Sequence, residues 1–196
     1  MKKRPSKRKP ASESPADTLG LCTGRKEPRR PAYRIGVTRL CHCAFGNPHR
    51  LKEAVRAVLH RHDVETADIG VVLVDDEAIA NLNDRFLRRR YATDVLAFDG
   101  RDATVPIKRQ ASTTVEGEII VSVETAVREA EERGHGVEAE LTLYTVHGLL
   151  HLLGYRDDQR RHAARMHRAE IQILNDLGIK GVHGISAAIT PRGQRT

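Results

Sequence analysis

Hydrophobic positions along this chain switch between a period of two and a period near four, and the switches outline alternating strands and helices. Tyr33 to Thr38 alternates enough to start a strand. Asn47-Pro48 reads as a helix cap followed by proline at the first helical position. Leu51, Val55, Val58 and Leu59 then recur at helical spacing to about His62. Ile69 to Val74 is a short run rich in β-branched residues, expected as a buried strand. Asp75-Asp76 caps a helix whose inward stripe is Ile79, Leu82 and Phe86. Val95 to Phe98 predicts a strand, and residues 100–115 a loop marked by Gly100 and Pro106. Glu118 to Val121 predicts a strand leading into a helix to about Arg133, ended by Gly134. Two further helices are expected, at about Val137 to Leu153 and about Asp158 to Leu177, the second with Met166, Ile173 and Leu177 inward. Four strands and about five helices in some 145 residues predict a mixed α/β (α+β) fold with one core, residues 33–177.

The helix near 137–153 is unlike the others. Leu141, Leu143, Tyr144, Val146, Leu149, Leu150, Leu152 and Leu153 make it apolar on nearly every side. Such a helix is buried, so His147 and His151 within it need partners, at a cost of about 1–3 kcal/mol for each polar group left unpaired. Their four-residue spacing puts both imidazoles on one face, close enough to share a metal ion. Gly154 suits a left-handed helix end, after which the chain can turn back and Asp157 can supply a third ligand. Two nitrogens and one carboxylate leave a fourth position open, as in catalytic rather than structural sites. The competing reading is that Asp157 or Asp158 only caps the next helix. The short turn favours Asp157 as ligand and Asp158 as cap. His162 and His167 on the last helix are expected as surface or core residues. Zinc is the default for this ligand set, though nickel or manganese can also occupy it. Position 148, where the His-Glu-x-x-His peptidases carry their general base, is Gly148 here, which argues against an ordinary metalloprotease.

The run His147-Gly148-x-Leu150-His151-Leu152-x-Gly154-Tyr155 resembles the signature of the YbeY family of metal-dependent endoribonucleases. Two further blocks are similar to that family in the same order: Leu82-Asn83 with Phe86 and Thr93–Phe98, then Gly117–Ser122. The resemblance covers about residues 35–177. It implies a small, mostly parallel sheet flanked by helices, with the metal in a cleft against it. It further implies cleavage of single-stranded RNA in ribosomal RNA maturation, at the 3′ end of small-subunit RNA, and in ribosome quality control, without a nucleotide cofactor. Asp157 stands where the family has a third histidine, Leu87 where it has an arginine, Ala92 for its proline and Ala97 for a serine. A carboxylate in place of an imidazole cancels part of a metal's charge, so activity is expected at higher pH than in relatives with three histidines. Arg85, Arg88, Arg89 and Arg90 flank Leu87, and one of them is expected to take over the phosphate contact, against the alternative of a solvated basic patch.

Charge changes the picture only at the ends. Residues 1–30 hold ten Lys/Arg against three Asp/Glu, a net of +7, which equals the charge of the whole 196-residue chain. Residues 31–196 therefore sum to zero. Residues 1–32 are expected as a disordered basic tail with sequence-independent affinity for polyanions, or as a solubilising extension. Residues 178–196 add Lys180, Arg192 and Arg195 without an acid and are expected as a second loose basic tail. No run of eighteen apolar residues predicts a transmembrane helix, and no membrane partner is expected. Cys22, Cys41 and Cys43 offer no pairing framework and are expected as ordinary thiols, in keeping with a cytoplasmic protein. With no Trp, four Tyr and three Phe, base-stacking platforms are scarce, and RNA binding should rest on phosphate contacts. The competing functions are another zinc-dependent hydrolase, such as a peptidase, and a ribosome-assembly binding module whose metal is structural.

Overall fold

The computed structural model describes residues 31–101 and 114–182. The basic N-terminal segment, most of the expected 100–115 loop and the stretch after residue 182 lie outside the described residues. In chain order the elements are β1 (Ala32–Arg39), α1 (Pro48–Arg61), β2 (Thr66–Val74), α2 (Asp76–Leu87), β3 (Val95–Asp99), β4 (Thr114–Ser122), α3 (Val123–Arg133), α4 (Val137–Leu152) and α5 (Arg160–Asp176).

Period-two burial in β2 decides the layering. Ala67, Ile69, Val71 and Leu73 enter one large core, whereas Val74 joins a smaller one on the other face. The sheet order is β1-β2-β4-β3. β1, β2 and β4 run parallel, with Val71 in register with Val37 on one side and Ile119 on the other. β3 closes the edge antiparallel to β4, pairing Val95 with Val121. The large core takes Leu51, Val55, Val58 and Leu59 from α1, most of α4, and Met166, Ile173 and Leu174 from α5. Burial of each such aliphatic side chain stabilises by roughly 1.5–3 kcal/mol relative to exposure. Among the described residues, no helix is long and apolar enough to cross a membrane.

Three expectations need correction. Phe86 is 55% exposed. The smaller core, built on Val74, Ile79, Leu96 and Ile120, ends before the last turn of α2. Phe86 therefore meets Phe98 edge-on, with ring centres 5.0 Å apart, rather than entering a core. Asp158 does not cap α5: the cap position is Gln159, which makes no side-chain cap hydrogen bond. Cys41 and Cys43 stand side by side, with one residue between them and their Cα atoms 5.5 Å apart. The core also runs past residue 177, because Val182 is buried and Ile179 packs against it.

Candidate metal centre

α4 is the central helix, and two of its buried hydroxyls are satisfied within it. The hydroxyls of Thr142 and Thr145 donate to the carbonyls of Glu138 and Leu141, four residues back. Gly148 lets the helix lie against the sheet: a Cβ there would stand 2.7 Å from Ile119 Cγ2 and 3.1 Å from Val95 Cγ2. This close approach brings His147 and His151 to the edge formed by β3 and β4.

Each histidine is oriented through its Nδ1. His147, 4% exposed, has Nδ1 2.6 Å from Oε1 of the fully buried Glu170 on α5. His151 has Nδ1 3.1 Å from the carbonyl oxygen of Tyr155. A turn makes that carbonyl available. Gly154 adopts φ 85°, its N–H donates to His151 O, and the Tyr155 N–H donates to Leu150 O. These two bonds are those of a Schellman helix end. The chain then doubles back so that the Tyr155 carbonyl faces the ring one turn earlier. A carboxylate and a carbonyl both require a donor, which places a proton on Nδ1 of each ring.

The two Nε2 atoms face each other and lie 3.0 Å apart. Burial first, and His147 second, hold the His151 imidazole below its ordinary pKa. Two ring nitrogens at that distance either share a proton or bracket a cation. Asp157 completes the arrangement: single ligand atoms of His147, His151 and Asp157 all lie within 4.8 Å of one another. The donor set of two neutral imidazoles and one carboxylate fits a zinc-like ion. Asp158 points elsewhere. It accepts from Arg156 at 2.6 Å and lies 2.9 Å from His162 Nδ1, and the His162 contact, more than any other, lowers its pKa. His167 lies behind Glu170, with Nδ1 3.8 Å from Oε2.

The three residues open onto a cleft of about 240 Å³ that Asn83, Leu87, Arg89, Tyr91, Asp94 and Gly148 also line. Of the arginines singled out from the sequence, Arg89 alone lines it. Arg85 lies over the Phe86 ring at 5.6 Å, and Arg90 pairs with Asp84 at 3.5 Å. Arg88 ends α2 in the left-handed conformation, φ 58°, at a local cost of about 1–3 kcal/mol for a non-glycine residue. Asn83, 2% exposed, fixes the segment that follows: its Nδ2 donates to Tyr91 O at 2.8 Å and its carbonyl accepts from Arg89 N at 3.3 Å. Sequence reasoning missed Glu170 and the holding role of Asn83. Glu170 carried a signal, since it falls between Met166 and Ile173 on the inward stripe of α5.

Fold and site together define an α+β protein with a candidate single-ion centre open to a cleft. The model of the family described as Endoribonuclease YbeY matches residues 45–178, more than half of the chain, and the chain belongs to that family. It is similar to the Endoribonuclease YbeY of Myxococcus xanthus, 37% identical over 124 residues, covering 63% of this chain and 41% of that protein. Similarity to the Heliobacterium modesticaldum Endoribonuclease YbeY is 39% identity over 124 residues, 61% of this chain and 75% of that protein. The solution structure of TM1509 from Thermotoga maritima aligns with TM-score 0.48 at 23% identity, covering 83% of this chain and 99% of that one.

Proposed function

We propose that the protein is a metal-dependent endoribonuclease that cuts single-stranded RNA in the cytoplasm, during maturation of small-subunit ribosomal RNA and in ribosome quality control. The observation that carries the reading is the facing pair of Nε2 atoms on His147 and His151, 3.0 Å apart, with Asp157 beside them at an open cleft. These three residues would hold one divalent ion, with zinc as the expected metal. Such an ion supplies Lewis acidity toward a phosphoryl oxygen when bound. Glu170 and the Tyr155 carbonyl keep both imidazoles in the ligating tautomer. Arg89, on the opposite wall, offers a cation to the phosphodiester, in place of the family arginine that Leu87 replaces. Gly148 leaves no general base where a peptidase needs one, which supports a phosphodiester over a peptide substrate.

The test combines metal analysis with cleavage of labelled single-stranded RNA by native and His147→Ala protein. One divalent ion per chain, lost together with cutting in the variant, supports the proposal. Metal retained by a native protein that cuts no RNA would instead favour a ribosome-assembly binding module.

A further inference from the structure

We infer that the exposed face of α5 is a track for the phosphate backbone of single-stranded RNA beside the metal centre; this rests on the proposed endoribonuclease function and names where its substrate lies outside the cleft. Residues 160–168 read Arg-Arg-His-Ala-Ala-Arg-Met-His-Arg, with four arginines and no acid. Arg160, Arg161, Arg165 and Arg168 are all exposed. None of them forms an ion pair with a carboxylate among the described residues, whereas Arg34, Arg61, Arg90, Arg101, Arg128, Arg133 and Arg156 each do. Residues 31–196 sum to zero charge, so this cluster is local segregation and not a share of a uniformly basic surface.

Stability does not account for the cluster. α5 has no acidic residue in its first turn and no side-chain cap. Arg160 and Arg161 there oppose the helix dipole. A local rule broken without a visible structural gain marks a surface retained for another purpose.

Geometry gives the face a direction. Arg161, Arg165 and Arg168 follow at four- and three-residue spacing and form one stripe roughly 10 Å long. Arg165 is held by stacking on the Tyr155 ring, with its guanidinium carbon 4.9 Å from the ring centre. Tyr155 is the residue whose carbonyl orients His151, so the stripe adjoins the turn that builds the metal centre. Asp157 lines the cleft three residues before α5 begins. Guanidinium forks match phosphate oxygens bidentately and carry no base preference, which suits a single strand of varied sequence.

The test is the salt dependence of binding by the full chain to a 2′-O-methyl oligouridine, checked for integrity after each measurement. Each phosphate neutralised on a single strand contributes about −0.7 to the slope of log K against log salt. The triple variant Arg161→Gln, Arg165→Gln, Arg168→Gln is expected to flatten the slope by about 2. The corresponding triple lysine variant is expected to keep it. Arg50→Gln, Lys52→Gln, Arg56→Gln on α1 removes the same charge elsewhere and is expected to leave the slope unchanged. Equal slopes for the native and α5 triple, or equal losses in both glutamine triples, would overturn the assignment. So would loss of binding to phosphatidylserine vesicles with oligouridine binding intact, which would assign the face to an anionic membrane. If native protein cuts RNA and the slope does not move, the track alone fails. A slope that falls while metal-loaded protein cuts no RNA leaves the track standing and removes the endoribonuclease reading.

Discussion

Glu170 Oε1 lies 2.6 Å from His147 Nδ1, joining α5 to α4 beneath the candidate metal centre. A carboxylate behind a ligating histidine fixes its tautomer and raises its basicity, and loss of such a partner commonly costs 10–100-fold in metal affinity. Glu170→Gln retains shape and an amide oxygen that can still accept from Nδ1, but lacks the charge. Zinc affinity measured by chelator competition is expected to fall about 10-fold in Glu170→Gln and about 100-fold in Glu170→Ala. Unchanged affinity in both would show that His147 is not a ligand.

Gly148 sets the distance between α4 and the sheet. Helix propensity alone would make Gly148→Ala stabilising by about 0.8–1 kcal/mol. The added Cβ, however, would stand 2.7 Å from Ile119 Cγ2, on a stiff β-branched side chain in the centre of the sheet. Overpacking of this kind costs about 1–3 kcal/mol, so the net effect should be destabilising, read as a lower urea midpoint. In an Ile119→Ala background, itself destabilised by about 2–5 kcal/mol, Gly148→Ala should cost less than in the native protein, giving a less than additive double variant. A midpoint that rises in Gly148→Ala alone would contradict the close approach.

The histidine pair was legible because two strong signals coincide in α4, an all-round apolar helix and a four-residue spacing. The strands β2 and β4 were legible because both carry runs of β-branched residues, Ile69 to Val74 and Ile119 to Val121. Glu170 was legible only in part: its place between Met166 and Ile173 puts it on the inward stripe of α5, but that it meets His147 depends on the packing of α5 on α4. Phe86 misled for the converse reason: its spacing from Ile79 and Leu82 fits an inward stripe, but α2 outreaches the core beneath it. Among four neighbouring arginines, sequence cannot say which faces the cleft. That depends on the left-handed residue Arg88 and on the anchoring of the following segment by Asn83.

His62 links stability to pH. Its ring meets Tyr155 edge-on at 5.5 Å, and its Nε2 is buried without a hydrogen-bond partner. Burial first, then Arg61 and Arg165, lower its pKa from the ordinary 6.5, outweighing Asp63. The position at the end of α1 favours a cation by about 0.3–1 kcal/mol, and the burial and arginines prevail over that as well. With the folded value below the unfolded one, the unfolded chain binds more protons between the two. The stability His62 contributes is therefore fully present above pH 6.5 and is lost as pH falls through the folded value. In metal-free protein the urea midpoint should drop between about pH 7.5 and about pH 5, and His62→Gln should reduce that drop. Parallel pH profiles for both proteins would exclude His62 as a contributor.

Arg89 and its neighbours can be separated by kinetics. Arg89 lines the cleft with His147, His151 and Asp157, while Arg85 lies on Phe86 and Arg90 is paired with Asp84. A cation that meets developing charge on the phosphoryl oxygens contributes mainly in the transition state, so its removal should lower kcat more than it raises KM. Arg89→Ala is expected to reduce kcat/KM for single-stranded RNA by about 10²–10³-fold. Arg85→Ala and Arg90→Ala should each change it by only a few-fold, as expected of exposed side chains. Arg89→Lys should recover part of the rate, since the charge returns without the planar fork. Loss of the same size in all three alanine variants would instead mark the segment as a diffuse electrostatic patch, with no single arginine at the reacting phosphate.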